Sequence, residues 1–223
     1  MDQQDQSGAD LDWRDGAIPV SRRFDDPYFS LNGGLNETRH VFLSGNDLPQ
    51  RLRPGFHVAE LGFGTGLNLL ALAQIAAQPV RFTSFEAFPM DPDQLARAHA
   101  GFETAFPELA NLAAELRAGY AARRFRVGMV EAELIIGDAR ASLPGWAGRA
   151  DAWFLDGFSP AKNPELWNEA LMGEIGAHTA KGGTFATYSA AGHVRRALAA
   201  AGFDVTRAPG YAGKRHMSRG VRA

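Results

Sequence analysis

A chain of 223 residues, 45% hydrophobic and 22% charged, has room for one large domain, and such ordinary proportions exclude disorder, collagen and coiled coil. It contains no cysteine, which excludes a disulfide framework, a thiolate metal site and a cysteine nucleophile. The net charge of −2 hides an asymmetry: residues 189–223 hold Arg195, Arg196, Arg207, Lys214, Arg215, Arg219 and Arg222 against Asp204 alone, for +6, and the remainder is −8. That split suggests a polyanion facing one end of the molecule; a solvated basic tail is the alternative. Apolar stretches are broken well short of a membrane span. The opening residues, with Asp2, Asp5, Asp10, Asp12 and Asp15, have the wrong charge for a signal or transit peptide. A soluble, cytoplasmic chain without membrane contact is expected.

Residues 1–50 are polar, with turn signals at Asp15-Gly16, Asp25-Asp26-Pro27 and Asn32-Gly33-Gly34. They read as a tail followed by short irregular or hairpin elements, an extension packing on the same domain. From residue 51 the pattern becomes regular. His57–Leu61 is an apolar strand, followed by a glycine-rich turn and a helix over 67–77. Val80–Glu86 is the next strand. Asp91 and Gln94 form a capping box that opens a helix to about residue 100, and another helix spans 108–118. Strands follow at 134–137 and Ala150–Leu155. Pro164 stands where a first-turn proline would, opening a helix over 165–178 that stops before Lys181-Gly182-Gly183. A strand at 184–189, a helix over 192–201 and an antiparallel pair at 203–208 and 216–221 close the chain. Alternating helices and apolar strands predict an α/β, Rossmann-like fold: a mostly parallel seven-stranded sheet, covered on both faces, with an antiparallel closing hairpin.

The sharpest local feature is Glu60-Leu61-Gly62-Phe63-Gly64-Thr65-Gly66, between the first parallel strand and its helix. Ligands of open α/β sheets bind beyond the carboxyl ends of the strands, where this loop sits. A dinucleotide fingerprint would need glycine at Leu67, and a phosphate-cradling loop would need Gly-Lys-Ser/Thr; neither is present. An acid followed by Gly-x-Gly-x-Gly suits a cationic, phosphate-free nucleoside such as S-adenosylmethionine (SAM). Glu86 ends the second strand, where a carboxylate can take both ribose hydroxyls. Gly137-Asp138 ends the third, within reach of an adenine amino group, and Asp156-Gly157-Phe158-Ser159 ends the fourth, beside the methyl donor. Any one of these acids taken alone has a helix cap or turn as its alternative reading; four successive strand ends point to an adenosyl pocket. The segment at 157–161 lacks the last glycine of a nucleophile elbow, and the six histidines show no metal-ligand spacing, so no metal is expected.

Phe-Gly-Thr-Gly-Leu-Asn at 63–68 and Trp-Phe-Leu-Asp-Gly-Phe-Ser-Pro-Ala-Lys-Asn-Pro at 153–164 resemble the methyltransferase module of the tRNA 5-methylaminomethyl-2-thiouridine biosynthesis family. The resemblance runs from about Trp13 to the end. It takes in Phe24-Asp25-Asp26-Pro27-Tyr28-Phe29-Ser30, Gly34-Leu35-Asn36-Glu37-Thr38 and Gly213-Lys214-Arg215-His216-Met217. It departs from the family only slightly at Leu61, which should face the sheet. It implies a class I SAM-dependent methyltransferase that N-methylates 5-aminomethyl-(2-thio)uridine at the tRNA wobble position. Larger members continue into an FAD-dependent oxidase; this chain stops where that module would begin, so a fused or separate oxidase is a possible partner and no FAD is expected here.

On this resemblance Asp156 is the catalytic residue, orienting the amine. The cofactor set is Tyr28, Glu60, Gly62, Gly64, Gly66, Asn68, Glu86, Gly137, Asp138, Asp156 and Phe158. Phe24, Tyr28 and Phe158 are expected to sandwich a splayed-out uracil, whereas Trp153 and Phe154 belong to the core. Arg195, Arg196, Lys214 and Arg215 would meet anticodon stem-loop phosphates. Two other readings stay open: a small-molecule amine methyltransferase of the same fold, and a non-catalytic SAM- or RNA-binding module.

Overall fold

Near the amino terminus three short strands, β1 (Leu11–Arg14), β2 (Ile18–Ser21) and β3 (Asp26–Pro27), form a small antiparallel sheet, and α1 (Gly34–Thr38) follows. The structure, a computed structural model, describes residues 8–29 and 33–223. Residues 1–7 of the expected tail and Asn32 of the expected turn lie outside them. Strand and helix then alternate through β4 (His57–Leu61), α2 (Leu67–Ile75), β5 (Val80–Glu86), α3 (Pro92–Ala105) and α4 (Ala110–Gly119). Next come β6 (Arg124–Val127), β7 (Val130–Ile136), α5 (Ala139–Ser142), β8 (Ala150–Leu155), α6 (Glu169–Ala177), β9 (Thr179–Thr187), α7 (Gly192–Ala200), β10 (Phe203–Pro209) and β11 (His216–Arg222).

The main sheet has the order β10-β11-β9-β8-β4-β5-β7-β6. β4 pairs in parallel with both β5 and β8, and the parallel set extends through β7 and β9. β6, β11 and β10 pair antiparallel. Because β5 follows β4 on one side and β8 lies on the other, the strand order reverses at β4. An open α/β sheet leaves its ligand crevice at such a reversal, outside the carboxyl ends of the strands.

Among the described residues the main sheet has eight strands, one more than the seven expected. The additional strand is β6, which turns at Gly128-Met129 into β7, and β7 accordingly begins at Val130 instead of 134. Arg124 and Arg126 pair across the strands with Glu133 and Glu131 at 2.5 and 2.8 Å. Charged outward positions protect a sheet edge, and here they hide the apolar alternation of Phe125 and Val127. A second difference lies at Pro164, which opens a 3-10 turn over Pro164–Trp167 rather than the helix itself. α6 starts at Glu169 because the Asn168 side chain accepts from the Leu171 N–H at 2.9 Å, an N-cap. The capping box at Asp91 and Gln94 forms as expected, with Gln94 N–H donating to Asp91 at 2.8 Å and Asp91 N–H to Gln94 at 3.0 Å. Its helix runs on to Ala105.

Both faces of the sheet are covered. Trp153 and Phe154, successive and fully buried, fall in opposite clusters, as alternation along a strand requires. Phe154 packs with α2, α3, α4 and the residues following α1; Trp153 packs with α6 and α7. Leu61 is wholly buried on the α6–α7 side, facing the sheet's packing layer and not the crevice. α2 is buried on all sides from Leu67 to Ala73, the pattern of a helix enclosed by protein. Leu35, Val41, Phe42, Leu43 and Leu48, from the extension, share that core. Among the described residues no helix is long and apolar enough to cross a membrane.

Candidate active site

At the carboxyl end of β4 the backbone turns through Gly62 and Gly64, whose φ angles are +78° and +54°. Both positions also lack space for a side chain. A Cβ on Gly62 would lie 3.2 Å from the Gly157 Cα, and one on Gly64 would lie 3.1 Å from the Tyr28 ring. Positive φ and close approach together leave glycine as the unstrained choice. Above this loop opens a cavity of about 1030 Å³, walled by the loops after β4, β5, β7 and β8, by residues 23–29, by α1 and by Lys214. Its size exceeds the roughly 300–1,000 Å³ usual for one small ligand.

Glu86, at the end of β5, grips the loop. Its Oε2 accepts the Gly64 N–H at 3.0 Å and its Oε1 accepts the Phe88 N–H at 2.7 Å. Burial nevertheless holds its carboxyl above the usual range, against the lowering effect of these backbone donors. A buried acid beside a glycine-rich loop that contains no Lys or Arg favours a cationic nucleoside over a phosphate. The residues therefore fit SAM: the glycine backbone, Tyr28 and Glu86 would hold it.

Asp156, at the end of β8, belongs to a closed set of hydrogen bonds. The Asn68 amide donates to Asp156 Oδ2 and to Glu60 Oε1, both at 2.8 Å. Gly157 N–H donates to Asp156 Oδ1 at 2.8 Å, Thr38 Oγ1 to Asn68 Oδ1 at 3.0 Å, and Ser84 Oγ to Glu60 Oε2 at 2.6 Å. Burial pushes the Asp156 carboxyl up to about 6, and burial likewise raises Glu60 well above its ordinary value. Asn68 and Asp156 line the cavity, but Glu60 lies wholly buried beneath it. The expectation that Glu60 touches cofactor is corrected: unlike Glu86, it does not line the cavity, and it is wholly buried among protein donors. Gly66 is corrected likewise. A Cβ there would meet Leu116 at 2.7 Å and Phe63 at 2.8 Å, so it serves helix packing behind the loop.

Gly137 and Asp138 line the cavity after β7. Asp138 also caps α5 through the Arg140 N–H at 2.9 Å and pairs with that guanidinium at 2.5 Å. The Arg140 side-chain hydrogen bond holds its carboxyl below the usual range. The helix-cap alternative is therefore realised, and an adenine amino group would have to share an acceptor already engaged.

The opposite wall is aromatic. Phe24 stacks on Phe158 at 4.7 Å between ring centroids, and Tyr28 meets Phe158 edge-on at 5.0 Å. In this arrangement Phe24 and Phe158 are stacked on each other, so the wall presents an outer stacking face where a sandwich was expected, and a base between the two rings would require them to part. Lys162 ties this wall down, 3.6 Å from both Asp25 and Asp26. Lys214 reaches the cavity from the turn between β10 and β11, pairing with Glu37 at 2.6 Å and standing 4.5 Å from the Tyr188 ring centroid. It is thus a cavity residue with its charge offset. Arg195 is half-buried, its Nε enclosed without a partner. Arg196 and Arg215 are exposed, without an acid partner among the described residues. Arg195, Arg196 and Arg215 do not line the cavity.

Sequence reasoning missed Thr38, Glu37, Tyr188, Lys162 and Ser84. Thr38 and Glu37 stand in a quoted family motif, and that motif was their available signal. Among the described residues no cluster of three or more His, Asp or Glu is placed to hold a metal.

A strand-order reversal, a glycine loop gripped by a buried acid and a second acid across one cavity define a nucleoside-binding α/β transferase. The chain belongs to the S-adenosyl-L-methionine-dependent methyltransferase family, whose model matches residues 103–223. It is 45% identical over 232 residues to the tRNA 5-methylaminomethyl-2-thiouridine biosynthesis bifunctional protein MnmC of Chromobacterium violaceum, covering 96% of this chain and 34% of that protein. It is 47% identical over 227 residues to the protein of the same name from Aromatoleum aromaticum, covering 95% and 35%. The chain therefore spans about a third of the length of these relatives. Among solved structures, MNMC2 from Aquifex aeolicus superposes with a TM-score of 0.70 at 23% identity, covering 97% of this chain and 71% of that one. That likeness shows that the two chains share a fold.

Proposed function

We propose that the protein transfers a methyl group from SAM to the amine of 5-aminomethyl-(2-thio)uridine at wobble position 34 of tRNA, giving 5-methylaminomethyl-(2-thio)uridine. The observation that carries this reading is the placement of Asp156, raised to about 6, in the same cavity as the Glu86-gripped loop and an aromatic wall. The relatives' names supply the tRNA substrate.

SAM, when bound, supplies a methyl group activated by its sulfonium. Asp156 accepts an N–H of the incoming amine and so aims the nitrogen lone pair, a positioning role that needs reacting atoms about 3–3.5 Å apart. An alkylamine's pKa near 10 lies about four units above 6, so Asp156 orients an amine that arrives neutral, and the methylated nitrogen leaves as the ammonium while the sulfonium becomes a neutral thioether. Asn68 and the Gly157 N–H hold the carboxylate in place at 2.8 Å each. Phe158 and Tyr28 offer an outer stacking face for the pyrimidine, as single-stranded bases are commonly held. Arg196 and Arg215, exposed cations of the basic carboxyl-terminal segment, are the strongest candidates for anticodon stem-loop phosphates. The proposal includes a cytoplasmic location and an oxidase partner, fused or separate, that exposes the amine.

One observation favours a small-molecule amine as acceptor instead: Lys162, Arg140 and Lys214, three of the cavity's cations, are each paired with an acid, which leaves little free positive charge at its mouth. Incubation with labelled SAM and either hypomodified tRNA or small amines separates the readings. Label in tRNA supports the proposal, label in amines alone supports the second reading, and SAM binding without transfer indicates a non-catalytic module.

A further inference from the structure

Beneath the glycine loop lies a histidine that the mechanism does not use. His99, on α3, is fully buried. Its Nε2 stands 2.8 Å from the Thr65 carbonyl oxygen, and its Nδ1 stands 3.3 Å from Arg117 Nη1 on α4. A guanidinium can only donate, so Nδ1 must be the acceptor and Nε2 must carry the proton. The Nε2–H then donates to Thr65. Arg117 is itself held by Glu103 at 2.7 Å, and Phe102 stacks beside the imidazole ring at 5.3 Å between centroids.

The consequence falls on one peptide plane. The Thr65–Gly66 peptide has its carbonyl taken by His99 and its Gly66 N–H donated to the Phe63 carbonyl at 2.8 Å. Both ends of the plane are fixed, one by α3 and the other by the loop itself. With Gly64 N–H held by Glu86 at 3.0 Å, the loop that faces the cofactor is pinned at Gly64 and across Thr65–Gly66.

We propose that His99 is a positioning residue for SAM binding: the Arg117 guanidinium selects its Nε2–H tautomer, and that tautomer fixes the glycine loop through the Thr65 carbonyl. The inference rests on SAM being the cofactor and not on the identity of the methyl acceptor. Burial and the neighbouring Arg117 cation lower the basicity of His99, outweighing the Thr65 carbonyl, Glu103 and the Ala113 backbone, which favours the neutral ring. A protonated ring would set an Nδ1–H against Arg117.

Two measurements test this without turnover. In the SAM-free protein at pH 7, imidazole nitrogen shifts should show His99 protonated at Nε2 alone, and Arg117→Met should convert part of the population to the other tautomer. An Nδ1-protonated or doubly protonated wild-type ring would overturn the proposal. By calorimetry, His99→Ala should weaken SAM binding by roughly 5- to 100-fold, the range for an orphaned buried acceptor. His99→Gln, whose amide N–H occupies the place of Nε2, should remain within about threefold of wild type on the same scale. His99→Asn, which mimics only Nδ1, should resemble alanine. If His99→Ala does not fold, the glutamine–asparagine contrast decides. Equal SAM affinity across the folded variants, or glutamine as weak as asparagine, overturns the assignment.

Discussion

The two walls of the cavity are built from different interactions. On the cofactor side, Asn68 and Glu86, which line the cavity, and Glu60, Ser84 and His99, which lie behind it, are almost wholly buried, and their polar atoms meet one another or the loop backbone. On the acceptor wall, Phe24, Tyr28, Phe158, Lys162 and Lys214 are partly or largely exposed and meet through ring stacking and surface ion pairs. Buried hydrogen bonds are costly to leave half-made, whereas exposed ion pairs are worth about 0–1 kcal/mol. The first wall is therefore set before its ligand arrives, and the second can rearrange around one. Asp156 stands where they meet, anchored by the first and open to the second.

Removing that junction should have the largest effect. Asp156→Ala is expected to slow single-turnover methyl transfer by roughly 10²–10⁴-fold, the range for a positioned acid–base group, with a much smaller change in SAM affinity by calorimetry. A modest rate loss would make Asp156 a wall residue only. The pH profile sharpens the point. A carboxyl with a pKa of about 6 is protonated below that value, losing its charge and turning one acceptor oxygen into a donor, so the wild-type rate should climb as pH rises through 6. It should climb further towards the pKa of the bound amine. In Asp156→Asn the limb near 6 should vanish; its persistence would assign that ionisation to another group.

Next in size is the cofactor wall itself. Glu86→Ala should weaken SAM binding by roughly 1.5–3 kcal/mol, about 10- to 150-fold, since a charged acceptor is removed along with its grip on Gly64. Unchanged calorimetric affinity in the folded variant would remove Glu86 from the pocket.

The two walls also differ in how far they could be read from the chain. Glu86 and Asp156 were legible because each ends an apolar run, where a carboxylate has no role in the core and the fold leaves a crevice. The glycine loop was legible because its residue types encode backbone angles. His99 and Thr65 are 34 positions apart, and no local pattern distinguishes a buried histidine from a surface one. The Lys214–Glu37 pair spans 177 positions, and no local pattern shows that Lys214 reaches the cavity. Phe24 stacking on Phe158 depends on the path of residues 22–25, a turn with no periodicity. β6 was hidden for another reason: Arg124 and Arg126 protect an edge and dilute its apolar signal.

Salt dependence tests the basic segment. If Arg196 and Arg215 meet phosphates, neutralising both should flatten the slope of log K for tRNA against log salt by roughly 0.7–0.9 for each phosphate no longer neutralised, while SAM affinity stays flat. Lys214→Met should change the slope less, because Glu37 already offsets its charge at 2.6 Å. Equal slopes for wild type and the double variant would return Arg196 and Arg215 to plain surface.

The smallest effect is expected at Lys162, and it bears most directly on the contrast between the walls. Its ammonium lies 3.6 Å from Asp25 and Asp26 and bonds the Asp25 carbonyl, with the Asp25 side chain 96% exposed. Such pairs contribute at most about 1 kcal/mol, so Lys162→Met should lower the melting temperature by no more than about 2–4 °C for a chain of this length. The looser strap carries Phe24 and Tyr28, so the KM for the methyl acceptor should rise, by up to about fivefold on the same energy scale. SAM affinity should move far less than in Glu86→Ala, because Tyr28 is the strap's one contact with the glycine loop and none of the bonds that hold that loop passes through Lys162. A loss of SAM affinity as large as that of Glu86→Ala would mean that the walls are one rigid unit, and the division between a fixed cofactor wall and an adaptable acceptor wall would fail.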